Sequence, residues 1–411
     1  MMLSELLALS QRLIVNKQQA YQRYLLQDSA LSHRLCIVIG ARGVGKTTLL
    51  IQHMLETVQG NVTSNKILYV PVDHFLLQQH RLYDIAEQFS ALGGRCIAFD
   101  EIHKYPHWSL ELKSIYDTFP ELTIIASGSS ALEIHKGSHD LSRRALVFTM
   151  QGLSLREYIA LTHGIELPVC TLPELLTHHV ALSQQMIKTT KAHDCSMLVL
   201  FYEYLQRGYY PYAKELNTPN QYHLTLEQNI HVTLESDMLA IYPELNGRTI
   251  AKLKQLLVFV AGNVPFTPKW SDLKGLLQVG DIRTLKQYFH YLADAGLLVY
   301  IEKTPNKLNA LASEEKVYLQ NPNLLYTLSG QDPDRGTLRE TFFINMVSKD
   351  HALSCPKQGD FCIDQQHVFE IGGRKKGFSQ VKMYKDAYVV TDDIEYGAGY
   401  KIPLWLFGML Y

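Results

Sequence analysis

Residues 40–47 read Gly40-Ala41-Arg42-Gly43-Val44-Gly45-Lys46-Thr47, with Thr48 next, and no other run constrains the fold as tightly. The spacing G-x-x-x-x-G-K-[ST] is satisfied in full. Ahead of it, Leu35-Cys36-Ile37-Val38-Ile39 is a short apolar run that reads as a buried strand, and Lys46 to about Thr57 reads as helix. A glycine turn between a buried strand and a helix N-terminus makes a phosphate cradle. Glycines let backbone N–H groups converge without a Cβ in the way, and the helix dipole favours an anion. Lys46 then reaches the β and γ oxygens of a nucleoside triphosphate and Thr47 ligates Mg2+. The expected cofactors are ATP, or a similar triphosphate, and Mg2+, held by residues 40–48.

Strand-like runs recur at Lys66 to Val72, Cys96 to Phe99 and Leu122 to Ala126, separated by helical stretches. This is the rhythm of a parallel sheet with helices on both faces, so the expected class is α/β, a P-loop NTPase domain over residues 1–164. Residues 1–33 read as helix from the spacing of Leu3, Leu6, Leu7, Leu13, Tyr21, Tyr24 and Leu25. The run Cys96-Ile97-Ala98-Phe99 ends in Asp100-Glu101, the form of a Walker B element. There Asp100 would hold Mg2+ through its water shell and Glu101 would polarise the attacking water; a surface acidic pair is the other reading. The third strand ends in Ser127-Gly128-Ser129-Ser130. A hydroxyl at that edge, Ser127 the better placed, contacts the γ-phosphate or the lytic water, or else the run is a plain turn.

A chain of 411 residues exceeds the roughly 250–300 at which one core stops growing, so more than one domain is expected. Residues 165–260 read as a helical lid or connector, with amphipathic stretches such as Pro173 to Lys191 and Ser196 to Leu205. Between 261 and 305 a helix starting near Ser271, a break at Gly280, a second helix from Ile282 to Ala295, and the turn and strand Gly296 to Ile301 make the pattern of a winged helix. Its second helix carries Arg283, Lys286 and His290 among many aromatics, so contact with DNA and plain packing are both open. Residues 306–411 return to mixed α/β. A net charge of −1 excludes a chain-wide positive field, and any nucleic-acid contact must come from a local patch. The six cysteines form no CxxC pair and read as reduced thiols. His103, His107, His135 and His139 lie near the loop without metal-site spacing and read as surface or packing residues. Neither a signal peptide nor an apolar run long enough to span a bilayer is evident, so a cytoplasmic location without membrane contact is expected.

The run Ala98 to Trp108, then Ser127 to Ser130, Asp140-Leu141-Ser142-Arg143-Arg144 and Leu153-Ser154-Leu155-Arg156-Glu157-Tyr158, resembles the AAA+ type ATPases of bacteria and archaea that carry a C-terminal domain of unknown function. The resemblance covers most of the chain and is strongest from 35 to 160. It implies an arginine acting on the γ-phosphate, here Arg144 with Arg143 as deputy, and an arginine acting across an interface would require an oligomer. It also implies a restriction-nuclease-like end with an acid in D-F-x-[IV] and then E-x-K. Asp360-Phe361-Cys362-Ile363 keeps the first element, but Glu370-Ile371-Gly372 puts glycine where the lysine belongs. That domain is therefore expected to be inactive unless Arg374, Lys375 or Lys376 swings in. The expected function is Mg2+-dependent ATP hydrolysis coupled to movement of the C-terminal parts. The alternatives are a nucleotide-gated switch that binds DNA or a partner protein with little turnover, and an ATP-dependent nuclease.

Overall fold

In a computed structural model of the chain, residues 2–27, 30–77, 80–128, 141, 143–303, 315–330 and 332–411 are described. Met1–Gln151 with Val232–Asn246 makes one compact unit, and Gly152–His231 with Gly247–Tyr411 a second.

The first unit is built on a five-stranded sheet of β1 (Leu35–Ile39), β2 (Ile67–Pro71), β3 (Cys96–Asp100), β4 (Thr123–Gly128) and β5 (Leu146–Thr149), in the order β2-β3-β4-β1-β5. Every pairing is parallel. All residues of β1 and β3 are buried, as strands covered on both faces must be, and this is why they read as unbroken apolar runs. Ile37, Ile39, Leu68, Phe99, Ile124 and Ala126 share one core with Ile85 and Phe89 of helix Leu82–Ala91 and Leu112 and Ile115 of helix Trp108–Thr118. The α/β class expected from the sequence is observed. Strand β5 was not read from the sequence, although Leu146-Val147-Phe148 is apolar; at the sheet edge Leu146 and Thr149 are exposed and Val147 and Phe148 half-buried.

The first helix stops at Lys17 instead of running to residue 33. The Gln52 side chain donates to the carbonyls of Gln19 and Tyr21, at 2.9 and 2.8 Å, which takes those carbonyls out of helical pairing. Beyond them the buried Arg23 guanidinium donates to the carbonyls of Val44 and Gln151, at 2.8 and 2.9 Å. Long-range pairing has overridden local periodicity.

The second unit combines a helical region with a mixed seven-stranded sheet. Its helices include Leu155–His163, Leu172–Ala192, Met197–Arg207, Gly247–Ala261, Trp270–Leu276 and Ile282–Asp294. The sheet holds β6 (Leu298–Lys303), β7 (Glu315–Leu319), β8 (Leu353–Cys355), β9 (Phe361–Ile363), β10 (His367–Gly372), β11 (Ala387–Thr391) and β12 (Lys401–Pro403), in the order β12-β11-β10-β9-β8-β6-β7. Because β6 pairs with both β7 and β8, one sheet takes strands from before and after residue 305. Among the described residues no helix is long and apolar enough to cross a membrane.

Candidate functional site

The glycine loop leaves the C-terminal end of β1, and its backbone requires its glycines. Gly45 sits at φ 101° as the N-cap of helix Lys46–Thr57, a conformation that side chains resist. At Gly40 a Cβ would lie 2.4 Å from the carbonyl oxygen of Met150, so the close approach of the two chains there excludes any side chain. Lys46 folds back over the loop, its Nζ donating to the carbonyls of Gly40 (2.8 Å) and Ala41 (3.0 Å). Burial lowers its pKa, and the negative charges of Glu101, Asp100 and Asp237 oppose that shift. Val44 is buried beneath the loop, while Ala41, Arg42, Gly43, Thr47 and Thr48 are half-buried.

Asp100, at the end of β3, is buried and tied on both oxygens. Thr47 Oγ1 donates to its Oδ2 at 2.6 Å, the Tyr69 hydroxyl donates to the same oxygen at 2.5 Å, and Ser127 Oγ donates to Oδ1. Ser127 in turn accepts from the backbone N–H of Glu101 at 3.1 Å. The loop, the acidic strand end and Ser127, read separately from the sequence, thus meet at one carboxylate. Tyr69 on β2 was missed, since a lone tyrosine in a buried strand carries no motif; the pairing of β2 with β3 delivers it. Burial and the neighbouring Asp100 charge push its hydroxyl well above the usual tyrosine range, so it stays a donor.

Glu101 differs from its neighbour. Its backbone is left-handed at φ 56°, a conformation rare for a non-glycine residue and frequent at functional sites. Its Oε2 is buried with no hydrogen-bond partner among the described residues. His103 Nε2 stands 3.6 Å from that oxygen, but burial pushes His103 down to about 4, so at neutral pH the contact is not an ion pair.

Arg144 lies elsewhere. Its Nε and Nη2 donate to the two carboxylate oxygens of Asp117 at 2.8 and 2.9 Å, and among the described residues it makes no hydrogen bond to Lys46, Thr47, Asp100 or Glu101. Arg143 is exposed. Ser129, Ser130, His135, His139, Asp140 and Ser142 lie outside the described residues.

In the second unit Gly372 does stand at the position of the expected lysine, yet a cation returns from four residues further on. The stem of Lys376 lies where a Cβ on Gly372 would be, at 2.7–2.8 Å, and its Nζ pairs with Glu370 Oε1. Asp360 Oδ2 accepts from the Ile371 N–H at 2.7 Å. Burial raises the carboxyl pKa of both Glu370 and the nearby Glu340, whose Oε2 accepts from the Tyr318 hydroxyl at 2.6 Å. Among the described residues no group of three or more His, Cys, Asp or Glu side chains converges as a metal cage.

Family comparison agrees with the loop geometry. Residues 32–159 match the AAA domain model, and residues 199–335 match a domain of unknown function (DUF8612). An uncharacterized protein of Methanocaldococcus jannaschii, MJ1637, is 28% identical over 396 residues, covering 89% of this chain and 80% of the relative. Among solved structures, C. elegans PCH-2 aligns at a TM-score of 0.26 with 13% identity, over 70% of this chain and 68% of that one. AMPPCP-bound DnaA from Aquifex aeolicus aligns at 0.26 with 14% identity, over 66% and 87%. Residues 32–159 thus match an AAA domain, and a match to a domain of unknown function follows at 199–335.

Proposed function

We propose that the chain hydrolyses ATP at the site of Lys46, Thr47, Asp100 and Glu101. The observation that carries this reading is the contrast between the two neighbouring acids: Asp100 is held by three donors, whereas Glu101 presents a carboxylate oxygen without a hydrogen-bond partner among the described residues. An acid fixed in place suits an electrostatic role, and an acid with a spare oxygen suits proton acceptance. The loop N–H groups and Lys46 bind and orient the phosphates, Glu101 accepts a proton from the attacking water, and Ser127 fixes the backbone from which Glu101 projects. The Thr47 hydroxyl and Asp100, hard oxygen donors 2.6 Å apart, fit a magnesium ion and would hold it, Asp100 through the ion's water shell. When bound, that ion would supply charge neutralisation for the phosphates. Arg144 acts on the γ-phosphate only after release from Asp117, or in a neighbouring subunit of an oligomer.

Nucleotide state would then move the parts beyond residue 164: the connector to 260, the winged-helix segment 261–305 and the nuclease-like end 306–411. The exposed Arg283, Lys286 and His290 of helix Ile282–Asp294 form the face that would meet DNA, and a partner protein is the alternative. Glu101→Gln separates hydrolysis from a nucleotide-gated switch: turnover is lost with ATP binding retained in the first case and hardly changes in the second. A second reading, an ATP-dependent nuclease, is favoured by the Lys376–Glu370 pair, which returns a cation to the acid. Failure of the purified chain to nick plasmid DNA with Mg2+ or Mn2+, and no effect of Asp360→Ala, removes it.

A further inference from the structure

Residues Val232–Asn246 belong to the nucleotide-site unit, although the chain on both sides of them belongs to the other. They begin with a π-turn, Thr233–Asp237, between helices Pro219–Val232 and Met238–Ile241. π-turns inside helices are uncommon and concentrate at functional positions. This one ends on Asp237, whose side chain is only 3% exposed and whose two oxygens lie 3.4 and 3.3 Å from the Arg42 Nη1. Immediately after it, helix Met238–Ile241 packs on the turn Ile102–Lys104 that follows Glu101. The excursion therefore touches the site at both ends, the glycine loop and the acidic strand end.

A buried carboxylate in a phosphate cradle is unusual chemistry. It helps to balance Arg42 and Lys46, and its field also reaches His103. A triphosphate at residues 40–48 would bring several negative charges to the same cations, in surroundings where like charges are poorly screened. The Arg42 contact is also weak for its type, because a good guanidinium–carboxylate bond spans roughly 2.7–2.9 Å. Arg42 is about one-third exposed, at 32%, and so has room to turn toward another anion.

We propose that Asp237 is a nucleotide-displaced latch: it competes with the triphosphate for Arg42, and nucleotide binding releases residues 232–246 from the loop. This rests on the nucleotide-site reading above and deepens it, because it names how occupancy reaches the rest of the chain. Both ends of the released segment continue into the second unit, so a change at Arg42 has a covalent route out of the site.

The test measures binding of Mg2+ and the non-hydrolysable analogue AMPPNP by calorimetry, together with amide hydrogen exchange over 232–246. The near-isosteric Asp237→Asn is expected to lower the Kd by roughly tenfold, a size that close charge pairs reach at interfaces. That gain should vanish in an Arg42→Ala background, and in the unmutated chain AMPPNP should speed exchange across 232–246. Unchanged or weaker binding by Asp237→Asn, or unaltered exchange in a chain that binds AMPPNP, overturns the latch and leaves the nucleotide site standing. Absence of binding by the unmutated chain, matched by the Lys46→Ala control, overturns both. The exchange readout needs no variant and stands even where a substitution impairs folding.

Discussion

Asp100 and Glu101 are adjacent in sequence and opposite in circumstance, and the difference comes from what other strands deliver to them. Tyr69 and Ser127 reach Asp100 because β2 and β4 flank β3, and Thr47 reaches it from the helix after the loop. Groups that hold a metal-binding carboxylate typically change metal affinity 10–100-fold when lost. Tyr69→Phe removes one such donor without creating much space. It should raise the Mg2+ concentration needed for half-maximal nucleotide binding by roughly tenfold, which a titration monitored by a fluorescent nucleotide would measure. His103 supplies a pH prediction. Burial puts its folded pKa at about 4 against an ordinary 6.5, so between those values the unfolded chain binds the extra proton. Its contribution to stability is intact above about 6.5 and is lost as pH falls from there toward 4. Thermal melts from pH 7.5 to 4.5 should therefore show a steeper loss in the unmutated chain than in His103→Asn. Parallel curves would place the acid sensitivity elsewhere.

Elements differ in how much of themselves they announce. The buried strands β1, β3 and β4 and the helix after the loop were legible, because burial on both faces writes an apolar run and the glycines write the turn. The motif Leu153-Ser154-Leu155-Arg156-Glu157-Tyr158 acquires a mechanical meaning. Ser154 accepts from the Glu157 N–H at 3.2 Å and Glu157 accepts from the Ser154 N–H at 3.3 Å, a capping box at the start of helix Leu155–His163. The same Ser154 hydroxyl donates to the Tyr411 carbonyl at 2.6 Å. Ser154→Ala should cost about 1–3 kcal/mol in denaturant unfolding, because the Glu157 N–H loses its cap and the Tyr411 oxygen loses one donor while keeping Arg156 Nε, at 3.0 Å. Elements set by distant partners were not legible. The end of the first helix at Lys17 depends on Gln52, and the Arg23 brace depends on carbonyls at Val44 and Gln151. Tyr69 and Asp237 likewise gain meaning only when the chain has brought Asp100 and Arg42 beside them.

At the scale of the whole molecule, a chain that leaves its nucleotide-site unit after Gln151, returns for Val232–Asn246 and leaves again has two covalent crossings beyond the first through which occupancy can be felt. A ligand that binds only the folded state stabilises it by mass action, about 2.7 kcal/mol at a hundred times its Kd. Mg2+ and AMPPNP should therefore raise the melting temperature of the unmutated chain and leave that of Lys46→Ala unmoved. Binding alone, however, would be met by a switch that never turns over. The central claim, that Glu101 completes a hydrolytic site on the loop, is tested most directly by phosphate release from Mg2+ and ATP, measured with and without double-stranded DNA. The account predicts release by the unmutated chain and none above the Lys46→Ala background for Glu101→Gln, which still binds ATP. Release that persists in Glu101→Gln, or an unmutated chain no faster than Lys46→Ala, would contradict it.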